Sequence, residues 1–335
     1  MGGGPTPRGA TPNRGSRTRK GSPATTAHLL RGVMPVLEVP FTADGGLDPE
    51  GFDRTVRHVL GTGVTAVMFP GFASEFHKLT DDERTLLTRR LLDITTPRPD
   101  VAAVISIPDH ATRIAVDHAT AAVAAGADAI NLLPPHFLGP PSSEVHRHVT
   151  AVLTAVAPTP VILQYAPAQT GSAFTAQALR DLAAEHPNLA AVKIETALPG
   201  RLAEDLATGT PALRSYVGYA GLQLPDALRR GIAGVQPGCS FTEIYQHIWR
   251  LWHDGDSDGA LALHARLLPY LAYWMQEVEL IIMVEKLVSV RRGLIDDPHC
   301  RHPARSLDPH EIAGVDRFLA EFDDLLRPLR SWSRP

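Results

Sequence analysis

Lys193 stands inside the run LAAVKI (189–194), whose other residues carry no charge. Burying an ammonium there is costly unless it is paired or gives up its proton. The neutral amine can attack a ketone, and the resulting iminium is an electron sink for carbanion formation. The plainer alternative is a lysine that snorkels from a strand end or sits in a buried ion pair. Tyr165 closes the run PVILQY (160–165), where a phenol beside the amine would shuttle protons. Taken alone, it is equally a rim tyrosine with its hydroxyl in water. Glu195 follows Lys193 by two positions on the same strand face, so it either touches substrate or reaches solvent. Glu75, His136, Tyr219, Gln236 and Cys239 are the remaining candidates at strand ends, with Gly218 a backbone contact.

These residues act together only if a fold collects them. From Arg31 the chain alternates short apolar runs with amphipathic stretches. The runs are 33–39, 64–69, 101–107, 128–133, 160–165, 189–194, 213–218 and 233–238. They are apolar at successive positions and bounded by Gly, Pro or Asp, which predicts strands buried on both faces of a parallel sheet. Thr80, followed by Asp81, Asp82 and Glu83, reads as a helix N-cap, and Ser142 and Ser143 open another helix. Eight strand–helix units predict an α/β fold, a TIM (β/α)8 barrel, with its site at the C-terminal strand ends. A doubly wound sheet is the competing arrangement, but no glycine-rich nucleotide fingerprint follows any of the runs. Helical patterns over about 258–276, 278–293 and 308–328 predict a C-terminal extension. The chain thus divides into a leader (1–28), a barrel (29–254) and a helical region (255–335) packed on it.

The leader holds Arg8, Arg14, Arg17, Arg19 and Lys20 with no carboxylate up to residue 27, and its Gly, Pro, Ser and Thr predict disorder. It lacks the apolar core of a signal peptide. A net charge of −4 argues against nucleic acid as a partner. No apolar run approaches the ~20 residues of a membrane span. Two cysteines, Cys239 and Cys300, encode no disulfide framework, which fits a cytoplasmic setting. The 15 histidines are scattered without a ligand motif, so neither metal nor other cofactor is expected.

Several segments, in order and at matching spacing over about residues 31–325, resemble the dihydrodipicolinate synthase / N-acetylneuraminate lyase family. GVMPVLEVPFTADGGLD resembles its opening strand, and GFASEFHKLTDDER its G-T-T-G-E loop and following helix start. GADAINLLPPHF resembles the strand ending P-P-Y-Y, VILQYAPAQTG the Y-N-x-P-x-R-T-G segment, and LAAVKIET the Schiff-base lysine strand. The resemblance implies a TIM barrel with a C-terminal helical region, a homotetramer or dimer, Lys193 as the Schiff-base lysine and Tyr165 as the catalytic tyrosine. The departures are as informative. Phe72 and Ala73 replace both loop threonines, leaving the Ala73 and Ser74 N–H groups and the Ser74 hydroxyl to hold a keto-acid carboxylate. Phe137 replaces the second tyrosine of the proton relay, and His136 beside it is an imidazole that can exchange protons near neutral pH. Phe72 and Phe137 imply a less polar mouth suited to an apolar or bulky aldehyde partner.

Glu38 interrupts the first strand, where a carboxylate bonded to a neighbouring loop is expected over a buried acid with a raised pKa. Glu75 is expected to order its loop, and Cys239 to pack. The function these residues imply is a Schiff-base-forming lyase on pyruvate or another 2-keto acid, by aldol addition, retro-aldol or dehydration. The substrate contacts would be Phe72, Ala73, Ser74, Phe137, Gln169, Glu195, Gly218 and Gln236. A phosphorylated-sugar aldolase would need cations near the last two strand ends, where the chain reads VGYAG and VQPGC. A catalytically silent keto-acid-binding relative is the alternative from another class. Gln169 replaces the arginine that receives the second substrate's carboxylate in dihydrodipicolinate synthases, and an amide cannot form that bidentate ion pair. Condensation of pyruvate with aspartate semialdehyde should therefore be negligible in a coupled assay; robust turnover would show Gln169 to be no barrier.

Overall fold

The computed structural model describes residues 23–135, 138–171 and 173–326. Its strands are β1 (Gly32–Val33), β2 (Ala66–Phe69), β3 (Ala102–Ile107), β4 (Ala129–Leu132), β5 (Val161–Tyr165), β6 (Leu189–Ile194), β7 (Arg214–Val217) and β8 (Gly234–Val235). All pair in parallel, in the order β1-β8-β7-β6-β5-β4-β3-β2. The ring closes where Leu37 N–H donates to the Met68 carbonyl (2.9 Å) and Met68 N–H to that of Pro35 (3.0 Å). β1 is shorter than the 33–39 run because Pro35 has no N–H to give the ladder. The chain nonetheless stays in register, with Val36 N–H donating to Pro237 O at 2.8 Å.

Side chains alternate between two cores. Met34, Val36, Ala66, Met68, Ala102, Val104, Ala129, Ile162, Ala191 and Tyr216 fill the barrel interior. The intervening residues, among them Val67, Ala103, Ile130, Leu163 and Val192, form the larger core beneath the helices. One step further up each interior row the residue type changes. Ala102, Val104 and Ser106 share the inner face of β3, and Ala129 and Asn131 that of β4. Ile162 and Gln164 follow on β5, and Ala191 and Lys193 on β6. An apolar plug thus fills the lower barrel, and a polar layer opens toward the C-terminal mouth.

The helices between strands begin as the sequence predicts. Thr80 and Glu83 form a reciprocal capping box on the helix Asp81–Thr95, and Ser142 is the first residue of Ser142–Val156. The expected leader needs correction at its end. Pro23–Leu29 is helical and is tied to the barrel's N-terminal end, where Thr65 and Arg214 donate to the Leu29 and Ala27 carbonyls at 2.8 and 2.6 Å. Residues 1–22 lie outside the described residues.

Helices α1 (Ser257–Trp274), α2 (Val278–Arg292) and α3 (Pro309–Glu321) form the C-terminal extension. Phe318 joins it to the barrel, its ring 5.1 Å from those of Phe241, Trp274 and Phe322. α2 reaches over the mouth, where the fully buried Glu75 pairs with Lys286 and, at 3.2 Å, with Lys78. Glu75 also accepts the Arg301 N–H at 3.2 Å, so it orders its loop by fastening it to the extension. Removing one partner of a buried pair leaves a stranded charge. Lys286→Ala should cost about 3–5 kcal/mol in urea denaturation, and pairing it with Glu75→Gln should recover much of that loss. A cost under about 1 kcal/mol would show water replacing the ammonium.

Candidate active site

The parallel register decides which residues meet. β5 and β6 pair Gln164 with Lys193 and Tyr165 with Ile194. Paired residues project to the same side, so Gln164, not Tyr165, stands beside the lysine. Lys193 is 4% exposed, and its Nζ lies 3.1 Å from Glu195 Oε1. Gln164 donates to Glu195 Oε2 at 2.6 Å, Asn131 to Gln164 Oε1 at 3.0 Å and to Ser106 Oγ at 2.9 Å. The result is a polar chain across four strands that ends on the amine. Gly218 makes room for it: a Cβ there would lie 2.3 Å from Glu195 Cγ.

Above this chain lies a cavity of about 110 Å³. Lys193, Glu195, Gln169, Tyr219 and Gln236 are polar residues of its wall, with Phe72 and Ala73 from the loop after β2. Met275, Val278, Ile281 and Ile282 of the extension supply an apolar side that the strand list could not reveal. Gln169 and Tyr219 hydrogen-bond to each other at 3.1 Å. Tyr219 and Ala220 both hold positive φ, 47° and 50°, a conformation stored at functional sites at some cost in stability.

Three expectations are corrected. Tyr165 belongs to the outer core; its hydroxyl donates to the Phe174 carbonyl at 3.2 Å, and burial pushes its pKa up. The cavity's phenol is Tyr219 instead. Ser74 is fully buried below the cavity, where its hydroxyl donates to the Leu37 carbonyl and accepts Gly71 N–H at 2.9 Å. Its own N–H is spent on the Gly71 carbonyl at 2.9 Å, so Ala73 alone of that pair faces the cavity. Gly218 acts by its missing side chain and is not part of the wall. His136 and Phe137 lie outside the described residues. Cys239 is buried, with Glu38 N–H 3.4 Å from its sulfur, and packs as expected.

A lysine carried on a barrel strand, paired with a carboxylate at the floor of a C-terminal cavity, is the arrangement of a barrel enzyme's active site. Residues 29–321 match the dihydrodipicolinate synthetase family. The chain is 28% identical over 312 residues to an L-2-keto-3-deoxyarabonate dehydratase of Azospirillum brasilense, spanning 91% of this chain and 98% of that protein. It is 29% identical over 304 residues to a 4-hydroxy-tetrahydrodipicolinate synthase of Salinibacter ruber, spanning 89% and 97%. Among solved structures, YagE of Escherichia coli K12 in complex with pyruvate superposes with a TM-score of 0.80 at 26% identity, covering 89% of this chain and 99% of that one. The chain belongs to the dihydrodipicolinate synthetase family and is a carbon–carbon or carbon–oxygen lyase.

The exchange of roles between neighbours on β5 is directly testable. Tyr165→Phe should cost about 1 kcal/mol of stability, one hydrogen bond, and leave turnover little changed. Gln164→Leu should reduce turnover strongly, because Glu195 loses the donor that fixes it. The opposite ranking in steady-state kinetics would return the catalytic phenol to Tyr165.

Proposed function

We propose that this lyase acts on 2-keto acids through an imine at Lys193, and that its reaction is the dehydration of a 3-deoxy-2-keto sugar acid. The observation that carries the reading is the Lys193–Glu195 pair, buried at the cavity floor at 3.1 Å. Before attack the ammonium must lose a proton, and Glu195 is placed to take it. The amine then adds to the keto carbon, and the carbinolamine hydroxyl leaves as water with the proton Glu195 holds, giving the iminium and restoring the carboxylate. The C3 proton is acidified by that iminium and is removed by the same carboxylate, giving an enamine. Gln164 keeps Glu195 aimed at this position throughout.

Two features favour dehydration over aldol chemistry. The strand position beside Lys193 is filled by Gln164, which can orient a carboxylate but cannot pass a proton as a phenol does. A second carboxylic acid is held against the same cavity. The name of the Azospirillum relative, a keto-acid dehydratase aligned over nearly its whole length, agrees with this reading. Binding of a phosphorylated sugar is disfavoured because Lys193 is the only cation among the described residues of the cavity wall.

Borohydride reduction in the presence of pyruvate should add the reduced ligand's mass to Lys193, and Lys193→Ala should abolish adduct and turnover. Glu195→Gln should lower turnover by roughly 10²–10⁴-fold, the range for a general acid–base group. An adduct on another lysine, or none with any 2-keto acid, would defeat the imine reading.

A further inference from the structure

Glu285, on α2, belongs to the cavity wall yet is only 4% exposed. Its Oε2 accepts the Ser240 N–H at 3.2 Å and the Ser240 hydroxyl at 3.1 Å. The carboxyl lies against the chain leaving β8, where a Cβ on Gly238 would stand 2.0 Å from Oε1. The glycine is therefore what lets this acid sit at the cavity edge. Beside it Glu38, 1% exposed, has no hydrogen-bond partner for either oxygen; the Ser289 hydroxyl, equally unpaired, is close enough to act on its charge.

Among the described residues no cation forms an ion pair with either acid, although the charges of Lys286 and Arg292 act on Glu38 from nearby. Lys286 is committed to Glu75, and Arg292 bonds Glu243 and the Ser240 carbonyl. Burial raises Glu285 to about 7 against the pull of the Ser240 donors, and Glu38 to about 8. The other titratable groups acting on the pair, the Cys239 thiol and the Tyr245 phenol, are held neutral by burial. At neutral pH Glu285 thus carries a proton in a large share of molecules. Glu195, across the same cavity, has its oxygens occupied by an ammonium and an amide donor. Two carboxyl groups in such different settings divide naturally into a base and an acid.

We propose that Glu285 is the general acid of the reaction, protonating the hydroxyl that leaves C4 of a 4-hydroxy-2-keto acid held as an imine on Lys193. This rests on the imine reading and extends it. Glu195 takes the C3 proton, and the electron pair moves into the C2–C3 enamine. That pair then forms the C3=C4 bond as the C4–O bond breaks, and the oxygen departs with the proton of Glu285 as water. Hydrolysis of the unsaturated iminium frees the amine. Glu195 returns its proton to solvent and Glu285 regains one, so the net change is loss of one water. An ionised Glu285 would instead accept the C4 hydroxyl proton, which is the step that carbon–carbon cleavage requires.

The test separates steps before and after the enamine. Borohydride trapping with pyruvate and solvent-deuterium exchange of its methyl protons, followed by NMR, need Lys193 and Glu195 but no C4 hydroxyl. L-2-keto-3-deoxyarabonate and 2-dehydro-3-deoxy-D-gluconate supply that hydroxyl. Glu285→Gln should keep trapping and exchange and lose dehydration by about 10²–10⁴-fold. Glu285→Asp should recover part of it, and Gly238→Ala should reproduce the selective loss. Wild-type dehydration in Glu285→Gln, or equal loss of exchange and dehydration in both Glu285 variants, would overturn the proposal. So would a wild-type protein that traps pyruvate but dehydrates neither acid, with the imine reading left intact. Absence of trapping in the wild type would remove the imine reading itself.

Discussion

The position of one ammonium governs the upper half of this barrel. Lys193 is closed off from bulk water, so its charge is tolerated only because Glu195 meets it and Gln164 in turn holds that carboxylate. Ser106, Asn131, Gln164 and Lys193 each sit one interior step above an alanine, valine or isoleucine, and Glu195 one step above Lys193. The barrel changes from a hydrocarbon plug to a hydrogen-bonded floor within a single layer of side chains. Within this network Asn131 Oδ1 lacks a hydrogen-bond partner, while Glu195 keeps its position because Gly218 forgoes a side chain where the carboxylate needs the space.

The extension supplies what a barrel alone lacks. Ile281 and Ile282 wall off the cavity, while Lys286, a few residues on, anchors the same helix to the loop after β2. Excluding water lowers the local dielectric and strengthens each charge interaction inside. It also keeps Glu285 protonated close to neutrality, because the anion finds no cation and little solvent. Covering the site and setting the state of its second acid are therefore two effects of one helix.

Much of this was legible in the chain, for reasons that differ by element. Eight apolar runs bounded by turn residues announce parallel strands because both faces are buried, and Thr80 to Glu83 announces a helix because its cap is a local hydrogen-bond pattern. Lys193 is conspicuous as a charge in a run without others. What the residues do not display is register. In LQY the two polar residues occupy opposite faces, and only pairing with β6 puts Gln164 beside the lysine and Tyr165 behind it. Ser74 misleads for a similar reason, since its N–H is spent inside a short helical turn and its hydroxyl on Gly71 and the Leu37 carbonyl. Glu38 was expected as a loop-bonded carboxylate, yet it is a buried acid whose oxygens are bonded to no loop, with burial raising its pKa. Glu285 carries no local signal, being one acid in a helix whose tertiary face cannot be read from spacing.

The fastening of Glu75 to Lys286 joins residues 211 positions apart. A chain growing from its N-terminus completes every barrel strand well before α2 has been made. In that interval the loop after β2 holds a carboxylate with Lys78 as its only ammonium partner, and the amine floor lies open to solvent. Without that helix the cavity lacks the wall that Val278, Ile281 and Ile282 supply, so the floor around Lys193 is enclosed only once the extension is in place. The part of the chain made last is thus also the part that closes the cavity and ties down the loop after β2.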